Sequence, residues 1–153
     1  MYKNIFIILL VAIFFNGCDG KRGSFIHIKE SNNSVSSTVA KLESLVKKDG
    51  LTHFYTINHS KNAKDVNIRI RDESVVVFGN PEMGSLLIKC NQTMGLDLPL
   101  KMLIYKEFDG STKISYINPE YYTLTHNIKD KQCLNIIKKA SIALDVLSEK
   151  LVK

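Results

Sequence analysis

The chain has 153 residues, of which 21 are Lys or Arg and 15 are Asp or Glu, and its formal net charge is +6. This length is enough for one domain with a hydrophobic core, and no repeat or low-complexity tract divides it. The cations are dispersed and are not interleaved with aromatic residues along a stripe, so the composition argues against nucleic-acid binding. A mildly basic surface is better suited to an anionic membrane.

Residues 1–17 have the features of a secretory signal. Lys3 gives a positive start, residues 5–15 form an unbroken apolar run, and Cys18 follows two small or polar residues. A run of about 11 residues is shorter than the roughly 20 of a spanning helix and lies within the usual length of a signal. The pattern predicts a bacterial lipoprotein signal, after which Cys18 carries acyl chains such as palmitate and begins the mature chain.

This interpretation places the protein on a cell membrane. Residues 18–24 are then the lipidated cysteine and a short tether, and two or more acyl chains give stable anchoring. Asp19 resembles the inner-membrane retention signal of many Gram-negative bacteria, which favours the periplasmic side of that membrane. Phe15 stands where such signals normally have leucine, so simple secretion and an uncleaved anchor are the alternatives.

Hydrophobic periodicity predicts alternating strands and helices over residues 25–153. Strands are expected where short runs are apolar, aromatic or alternating, namely at 25–29, 52–58, 74–78, 101–106 and 112–118. Long helices are expected where apolar residues recur three or four positions apart, namely from Val35 to Val46, from Pro81 to about residue 93, and from Cys133 to Leu151. Shorter helical segments are expected after Asn58 and after Pro119.

The connection between the last two predicted strands is the strongest turn signal in the chain. Asp109-Gly110 is a typical hairpin dipeptide. A hairpin beside long helices predicts an α+β fold, in which a mainly antiparallel sheet is covered by helices on one face.

Cys90 and Cys133 are the two cysteines other than Cys18. Both lie at apolar-face positions of predicted helices, which favours two buried thiols that behave as small hydrophobic residues. A disulfide is the alternative if the domain lies in an oxidising compartment. Neither cysteine belongs to a C-x-x-C motif or to a metal-binding spacing.

Five short stretches recur in the order of a known domain: Ile57–Ser60, Val75–Pro81, Leu98–Lys101, Asp109-Gly110 and Ser115–Pro119. With them, residues 50–128 resemble the bacterial domain-of-unknown-function family 302, DUF302, and the preceding strand and helix fit its start. The resemblance implies a single domain with a curved antiparallel sheet and helices on one side, similar to TATA-binding-protein-like folds. It also suggests a homodimer, and it supplies no established activity or site residue.

The sharpest candidate site is the turn Phe78-Gly79-Asn80-Pro81, which leads from an apolar strand into a helix N-terminus. Free backbone N–H groups at such a position favour a polar or anionic ligand. The alternative is a purely structural turn, in which Gly79 supplies an unusual backbone angle and Pro81 occupies the first helical position. The turn is not a phosphate loop, because it has no Gly-Lys-Ser/Thr sequence.

His59, Tyr116, Asn118 and His126 are further candidates, because they lie near the ends of predicted elements and together could line one polar cleft. The spacing of the two histidines is not a metal motif, and hydrogen-bonded or surface histidines are the alternative. The sequence brings no nucleophile next to a base. It therefore predicts no catalytic residue, metal or cofactor.

These observations favour a lipid-anchored cell-envelope domain that binds a small ligand or an envelope protein, rather than an enzyme. The alternative is a metal- or redox-linked protein, or an enzyme, that uses His59 and His126. A third reading is a purely structural envelope lipoprotein.

Overall fold

Strands and helices alternate over residues 25–152, the part of the chain that the computed structural model describes. The strands are β1 (Ile26–Ser31), β2 (Thr52–Asn58), β3 (Glu73–Gly79), β4 (Leu100–Lys106) and β5 (Thr112–Ile117). The helices are α1 (Val35–Lys48), α2 (His59–Asp65), α3 (Pro81–Cys90), α4 (Tyr121–Thr125) and α5 (Lys131–Val152), with a 3₁₀ helix at Gln92–Leu96. Within residues 25–152, no helix has both the length and the apolar composition needed to cross a membrane.

The five strands form one antiparallel sheet in the order β1-β5-β4-β3-β2. Strands β4 and β5 are joined through Asp109-Gly110, where Gly110 has a φ of 86°, a backbone conformation that side chains rarely adopt. The first strand of the chain pairs with the last and forms one edge of the sheet, while β2 forms the other. The predicted α+β fold, its antiparallel sheet and its hairpin are confirmed. The TATA-binding-protein-like label stays a prediction.

Helices α1 and α5 enclose the main core against one face of the sheet. The core is built from alternate strand positions, whose side chains share a face, and from one stripe of each helix: Leu42, Val46, Val76, Phe78, Met102, Ile104, Ile114, Leu144, Leu147 and Leu151. A second cluster joins α3, α4 and the start of α5: Leu87, Met94, Tyr122, Ile128, Cys133, Ile136 and Ile137. The apolar stripes predicted for α1 and α5 are confirmed as core-forming surfaces.

The other face of the sheet leaves apolar side chains exposed. Lys29 marks the helix side of β1, since its ammonium group bonds the Asp145 carboxylate of α5 at 2.7 Å, so its neighbours on the strand point away. We call this surface the open sheet face, and its members are Ile26, Ile28, Tyr55, Leu103 and Ile117. Ile26, Ile28 and Tyr55 are each more than half exposed. The sheet is therefore packed on one side, as the sequence predicts.

Helix α3 is shorter than predicted. It ends at Cys90 rather than near residue 93, because Asn91 adopts an extended backbone and its side chain accepts a hydrogen bond from the Thr93 N–H group. That cap begins the 3₁₀ helix, which leads the chain through the cis peptide Leu98-Pro99 into β4.

Cys90 and Cys133 are joined in a disulfide, with their Cα atoms 6.7 Å apart. The prediction of two buried thiols is therefore wrong. Cys133 is buried in the first turn of α5, but Cys90 is exposed at the end of α3. The early end of α3 brings its last residue against the start of α5, an arrangement that helical periodicity does not encode. The bond ties these two helix ends together.

Replacing both cysteines by alanine should lower the free energy of unfolding by about 2–4 kcal/mol, because a crosslink across 43 residues restricts the unfolded chain. The measurement is urea unfolding of the double variant and of the oxidised wild-type domain. Wild-type protein unfolded in a reducing agent controls for the truncated side chains and should give a midpoint close to that of the variant. Equal midpoints for oxidised and reduced wild-type protein would contradict the expectation.

Candidate functional site

An apolar cavity of about 410 Å³ lies between helices α3 and α5, where β3 and β4 end. Its lining includes Leu51, Phe54, Phe78, Gly79, Asn80, Pro81, Met83, Gly84, Leu87, Ile88, Leu98, Tyr122, Lys139, Ala140, Ala143 and Leu144. Small-molecule sites in proteins typically measure about 300–1,000 Å³ and are mostly apolar, with a few polar groups that fix orientation. The size and chemistry of this cavity lie within that range.

The space exists because small residues face each other across the two helices. On α5, Ala140 and Ala143 occupy the face that carries large side chains further along the helix. On α3, a Cβ atom added to Gly84 would meet its nearest neighbour, a Leu98 methyl group, only at 4.0 Å. Large side chains at these three positions would fill the gap.

The cavity is bordered by apolar side chains that also reach the solvent. Phe54, Met83 and Ile88 line the cavity and are 43%, 37% and 38% exposed. Exposed apolar residues are unremarkable singly, but three around one opening form a patch of the kind that marks a binding site. An apolar ligand could bury these side chains on entry.

The predicted turn at Gly79-Asn80-Pro81 forms part of the cavity wall. Asn80 also caps α3, since its side-chain oxygen accepts a hydrogen bond of 3.1 Å from the Met83 N–H group. Gly79 does not have a positive φ, so the expectation of an unusual backbone angle there is wrong. The turn is structural and at the same time borders the cavity.

The polar side chains of the lining are Asn80, Ser85, Tyr122 and Lys139, and each of them can donate a hydrogen bond. Tyr122 is 4% exposed, and burial, with a smaller contribution from the charge of Asp97, raises the pKa of its phenol to about 12. The hydroxyl is thus protonated at neutral pH, and within residues 25–152 it has no hydrogen-bond partner. Lys139 is exposed at the border of the cavity, and its ammonium group is likewise unpaired among the described residues. The one side-chain amide of the lining belongs to Asn80; its oxygen accepts the cap hydrogen bond, and its NH₂ group has no partner within residues 25–152.

His126 does not line the cavity and belongs to an internal network. Its ring is buried, with Nδ1 2.7 Å from the Thr93 hydroxyl and Nε2 2.6 Å from an Asp97 carboxylate oxygen. Its backbone oxygen accepts a hydrogen bond of 2.8 Å from the Asn91 side chain. The residue fastens the 3₁₀ helix to α4, which matches the hydrogen-bonded alternative.

Tyr116 and Asn118 also make internal contacts. The Tyr116 hydroxyl donates to an Asp145 carboxylate oxygen at 3.2 Å, and burial raises the pKa of that phenol. The hydrogen bond from Lys29 lowers the pKa of Asp145. Asn118 accepts a hydrogen bond of 2.9 Å from the Ser141 hydroxyl. Both residues join β5 and its following turn to α5.

His59 lies far from the turn at Gly79. Thr52 at the start of β2 pairs with Gly79, and Asn58 at its end pairs with Ser74, so His59 follows the opposite end of the strand. Six residues of strand span roughly 20 Å. The structure therefore does not bring the six candidate residues into one site, and only Gly79 and Asn80 border the cavity.

One group of potential metal ligands occurs within the described part of the chain. Atoms of Cys90, Asp130 and Cys133 lie within 4.8 Å of one another. The two sulfurs are joined in the disulfide, and an Asp130 oxygen accepts a hydrogen bond from the Cys133 N–H group at 3.0 Å. In this state the carboxylate caps α5, and the sulfurs are not thiolate ligands.

Sequence reasoning missed the residues that create the cavity. Ala140 is part of the predicted stripe of α5, but its small size does not predict a cavity unless the residues across from it are known. Lys139 reads as an ordinary surface cation. One feature of the sequence could have indicated the cavity: Ala140 and Ala143 are small residues in a part of the helix that otherwise carries large apolar side chains.

A solved structure shares this fold. The crystal structure of an uncharacterized conserved protein DUF302 from Bacillus stearothermophilus matches with a TM-score of 0.74 and 19% sequence identity. The match covers 83% of this chain and 98% of the solved chain. The match shows that the two chains share a fold.

Sequence relatives include proteins named as ion channels. The fluoride-specific ion channel FluC 1 of Brucella suis biovar 1 (strain 1330) is 27% identical over 99 residues, which are 65% of this chain and 39% of the relative. FluC 1 of Brucella abortus biovar 1 (strain 9-941) is also 27% identical over 99 residues, 65% of this chain and 37% of the relative. This chain thus spans less than two-fifths of the length of either relative. Fluoride channel activity is the activity for which those relatives are named.

A family model also matches most of the chain. Residues 27–147 correspond to the family described as "Domain of unknown function DUF302". Because this match spans well over half of the 153 residues, the chain belongs to the DUF302 family.

Proposed function

We propose that this DUF302 domain is a binding module that takes up a small, largely apolar ligand between α3 and α5. The cavity of about 410 Å³ carries this proposal. An apolar cleft that opens to the solvent leaves its lining in contact with water, and burying that apolar surface under a ligand is favourable. A space of this size, kept open by Gly84, Ala140 and Ala143, is therefore better explained by an occupant than by imperfect packing.

A metal- or redox-linked role through His59 and His126 has less support. Both ring nitrogens of His126 lie within hydrogen-bond distance of neighbouring side chains, and His59 follows the end of β2 opposite the cavity. Within residues 25–152, neither histidine belongs to a group of three potential ligands close enough to hold a metal ion.

The ligand proposal is tested with N-phenyl-1-naphthylamine, a neutral apolar dye that fluoresces in apolar surroundings. The soluble chain from residue 19 should bind the dye, and Ala143→Phe should weaken binding at least tenfold because the added ring occupies the cavity. Ile142→Phe is the matched control, since Ile142 is 55% exposed on the same helix and does not line the cavity. Thermal unfolding of both variants checks that the fold is kept, because a ring placed in existing space strains the core little.

Two results would count against the ligand proposal. The first is an absence of dye binding by the wild-type chain. The second is equal binding by Ala143→Phe and Ile142→Phe, which would place the dye elsewhere on the surface.

We further propose that the domain is held on the outer side of a cell membrane by lipid on Cys18. Residues 1–24 lie outside the described part of the chain, so the support comes from the signal pattern and from the disulfide. Disulfides persist in oxidising compartments and are rare in the cytosol. The Cys90–Cys133 bond is therefore consistent with export, and Asp19 favours retention at an inner membrane.

Replacing Cys18 by alanine should remove the lipid anchor. The variant is expected to leave the membrane fraction or to accumulate as unprocessed precursor, because the acylated residue is lost. The measurement is fractionation of cells that express either form, with immunoblotting for size. Ser24→Ala, a change in the tether, should fractionate as the wild type. A Cys18→Ala protein of mature size that stays in the membrane fraction would contradict lipidation.

We also propose that the open sheet face pairs with a second copy of the chain. Ile26 pairs with Ile117, and Ile28 and Leu103 flank Ser115 in register, so apolar side chains lie on neighbouring strands of this face around one serine. Contiguous exposed apolar surface marks interaction sites, and homodimer interfaces are more apolar than other protein surfaces. In a two-fold dimer the same patch of each copy meets itself, so the patch has to be complementary to itself. Apolar side chains meet this condition because they need no opposite charge on the partner.

The substitution Ile28→Glu should weaken the dimer more than tenfold, because it buries an unpaired charge in the interface. Ile142→Glu is the matched control, since the two side chains are 56% and 55% exposed on opposite sides of the domain. Sedimentation equilibrium of the chain from residue 19 gives the dissociation constants. A monomeric wild type, or equal constants for the two variants, would contradict pairing through this face.

A further inference from the structure

We infer that the ligand of the cavity is an amphipathic monocarboxylate, with an unbranched apolar tail between α3 and α5 and its carboxylate at Lys139. This inference rests on the proposed ligand-binding function and goes beyond it by naming the chemical class of the ligand.

The first observation is the charge of the lining. Lys139 is the single charged side chain among the described residues that border the cavity. Four other described lysines are in ion pairs, and among them are Lys29, Lys113 and Lys150; these lysines do not line the cavity. The Lys139 ammonium group has no such partner within residues 25–152. An apolar space with one unpaired cation at its border suits an anion with a hydrophobic body.

The second observation is which polar groups of the lining can donate a hydrogen bond to a ligand. Tyr122 is buried, lines the cavity and offers an O–H group that has no partner within residues 25–152. Burial holds the pKa of this phenol at about 12, so it remains a donor. The oxygen of Asn80 is engaged by the Met83 N–H group, and its NH₂ group has no partner within residues 25–152. The Tyr122 and Ser85 hydroxyls can donate or accept, whereas the NH₂ group of Asn80 and the ammonium group of Lys139 only donate. A carboxylate only accepts hydrogen bonds, so it matches these two donors better than an ammonium group does.

The third observation is the shape and chemistry of the remaining wall. Aliphatic and aromatic side chains such as Phe54, Met83, Leu87, Ile88 and Leu98 make up most of the lining. Each methylene group that leaves water for such surroundings raises affinity about fourfold. The affinity of an unbranched tail therefore rises with every carbon that enters the cavity, whereas this wall does not raise the affinity of a compact polar anion.

The test compares decanoate with 1-decanol, which has the same chain length and no charge. Binding of each compound to the chain from residue 19 is measured by displacement of N-phenyl-1-naphthylamine. Wild-type protein should bind decanoate about tenfold more tightly than 1-decanol, and Lys139→Gln should remove that preference by weakening decanoate alone. Lys138→Gln is the matched control, because Lys138 is its exposed neighbour on α5 and does not line the cavity. Tyr122→Phe should weaken decanoate binding further without changing the apolar wall.

The outcomes separate this inference from the proposed function. Equal binding of decanoate and 1-decanol, unchanged in Lys139→Gln, would leave an apolar binding site and overturn the carboxylate inference. An equal loss of decanoate binding in Lys138→Gln and Lys139→Gln would also overturn it, since it would indicate general attraction to a basic surface. Dye binding that neither compound displaces would also overturn the carboxylate inference, whereas an absence of dye binding by the wild-type chain would overturn the proposed function itself.

Discussion

One stripe of side chains on helix α5 packs against the sheet and α1 and also borders the cavity beside α3. The positions of the core and of the cavity both depend on this packing. Its second half carries Leu144, Leu147 and Leu151, which are buried against the sheet and α1. Near its middle the helix borders the space beside α3, and there Ala140 and Ala143 are small residues between the large ones that precede and follow them. The change from large to small side chains converts a helix that closes the core into a helix that borders a cavity. Because the helix is continuous, the core fixes the position of the cavity wall.

The other wall needs separate support, since α3 has only ten residues and a short helix is marginal without tertiary contacts. Support comes at both of its ends. The Asn80 side chain caps its start, and the disulfide ties its end to the first turn of α5. Just beyond, the buried ring of His126 lies between Thr93 and Asp97 and fastens the 3₁₀ helix to α4. A void between two helices persists only where both are held from outside, and these contacts provide that restraint.

The elements of the fold could be read from the sequence because their signals are local. The stripe of α1, the Asp109-Gly110 hairpin and the apolar run of β3 each depend on residues a few positions apart. The grouping of site residues could not be read in this way. His59 and Asn80 flank neighbouring antiparallel strands, and only the register of β2 with β3 places them at opposite ends. The pairing of Cys90 with Cys133 depends on where α3 stops, which a side-chain cap decides. Only the turn at Gly79-Asn80 was recognised as a candidate and also borders the cavity, because a strand end and a helix start coincide there.

The two proposed surfaces can operate together because the sheet separates them. Side chains alternate across the sheet, so a residue either faces the helices, as Phe78 does, or belongs to the open sheet face, as Leu103 does. A partner bound to the open sheet face contacts residues such as Ile28 and Ile117 and leaves the border formed by Met83 and Ile88 accessible. The proposed lipid anchor on Cys18 would add a third constraint, since it would tie the β1 edge of the domain to a membrane. The cavity border at Met83 and Ile88 belongs to α3, so the proposed ligand would enter and leave through the helix layer rather than through the open sheet face.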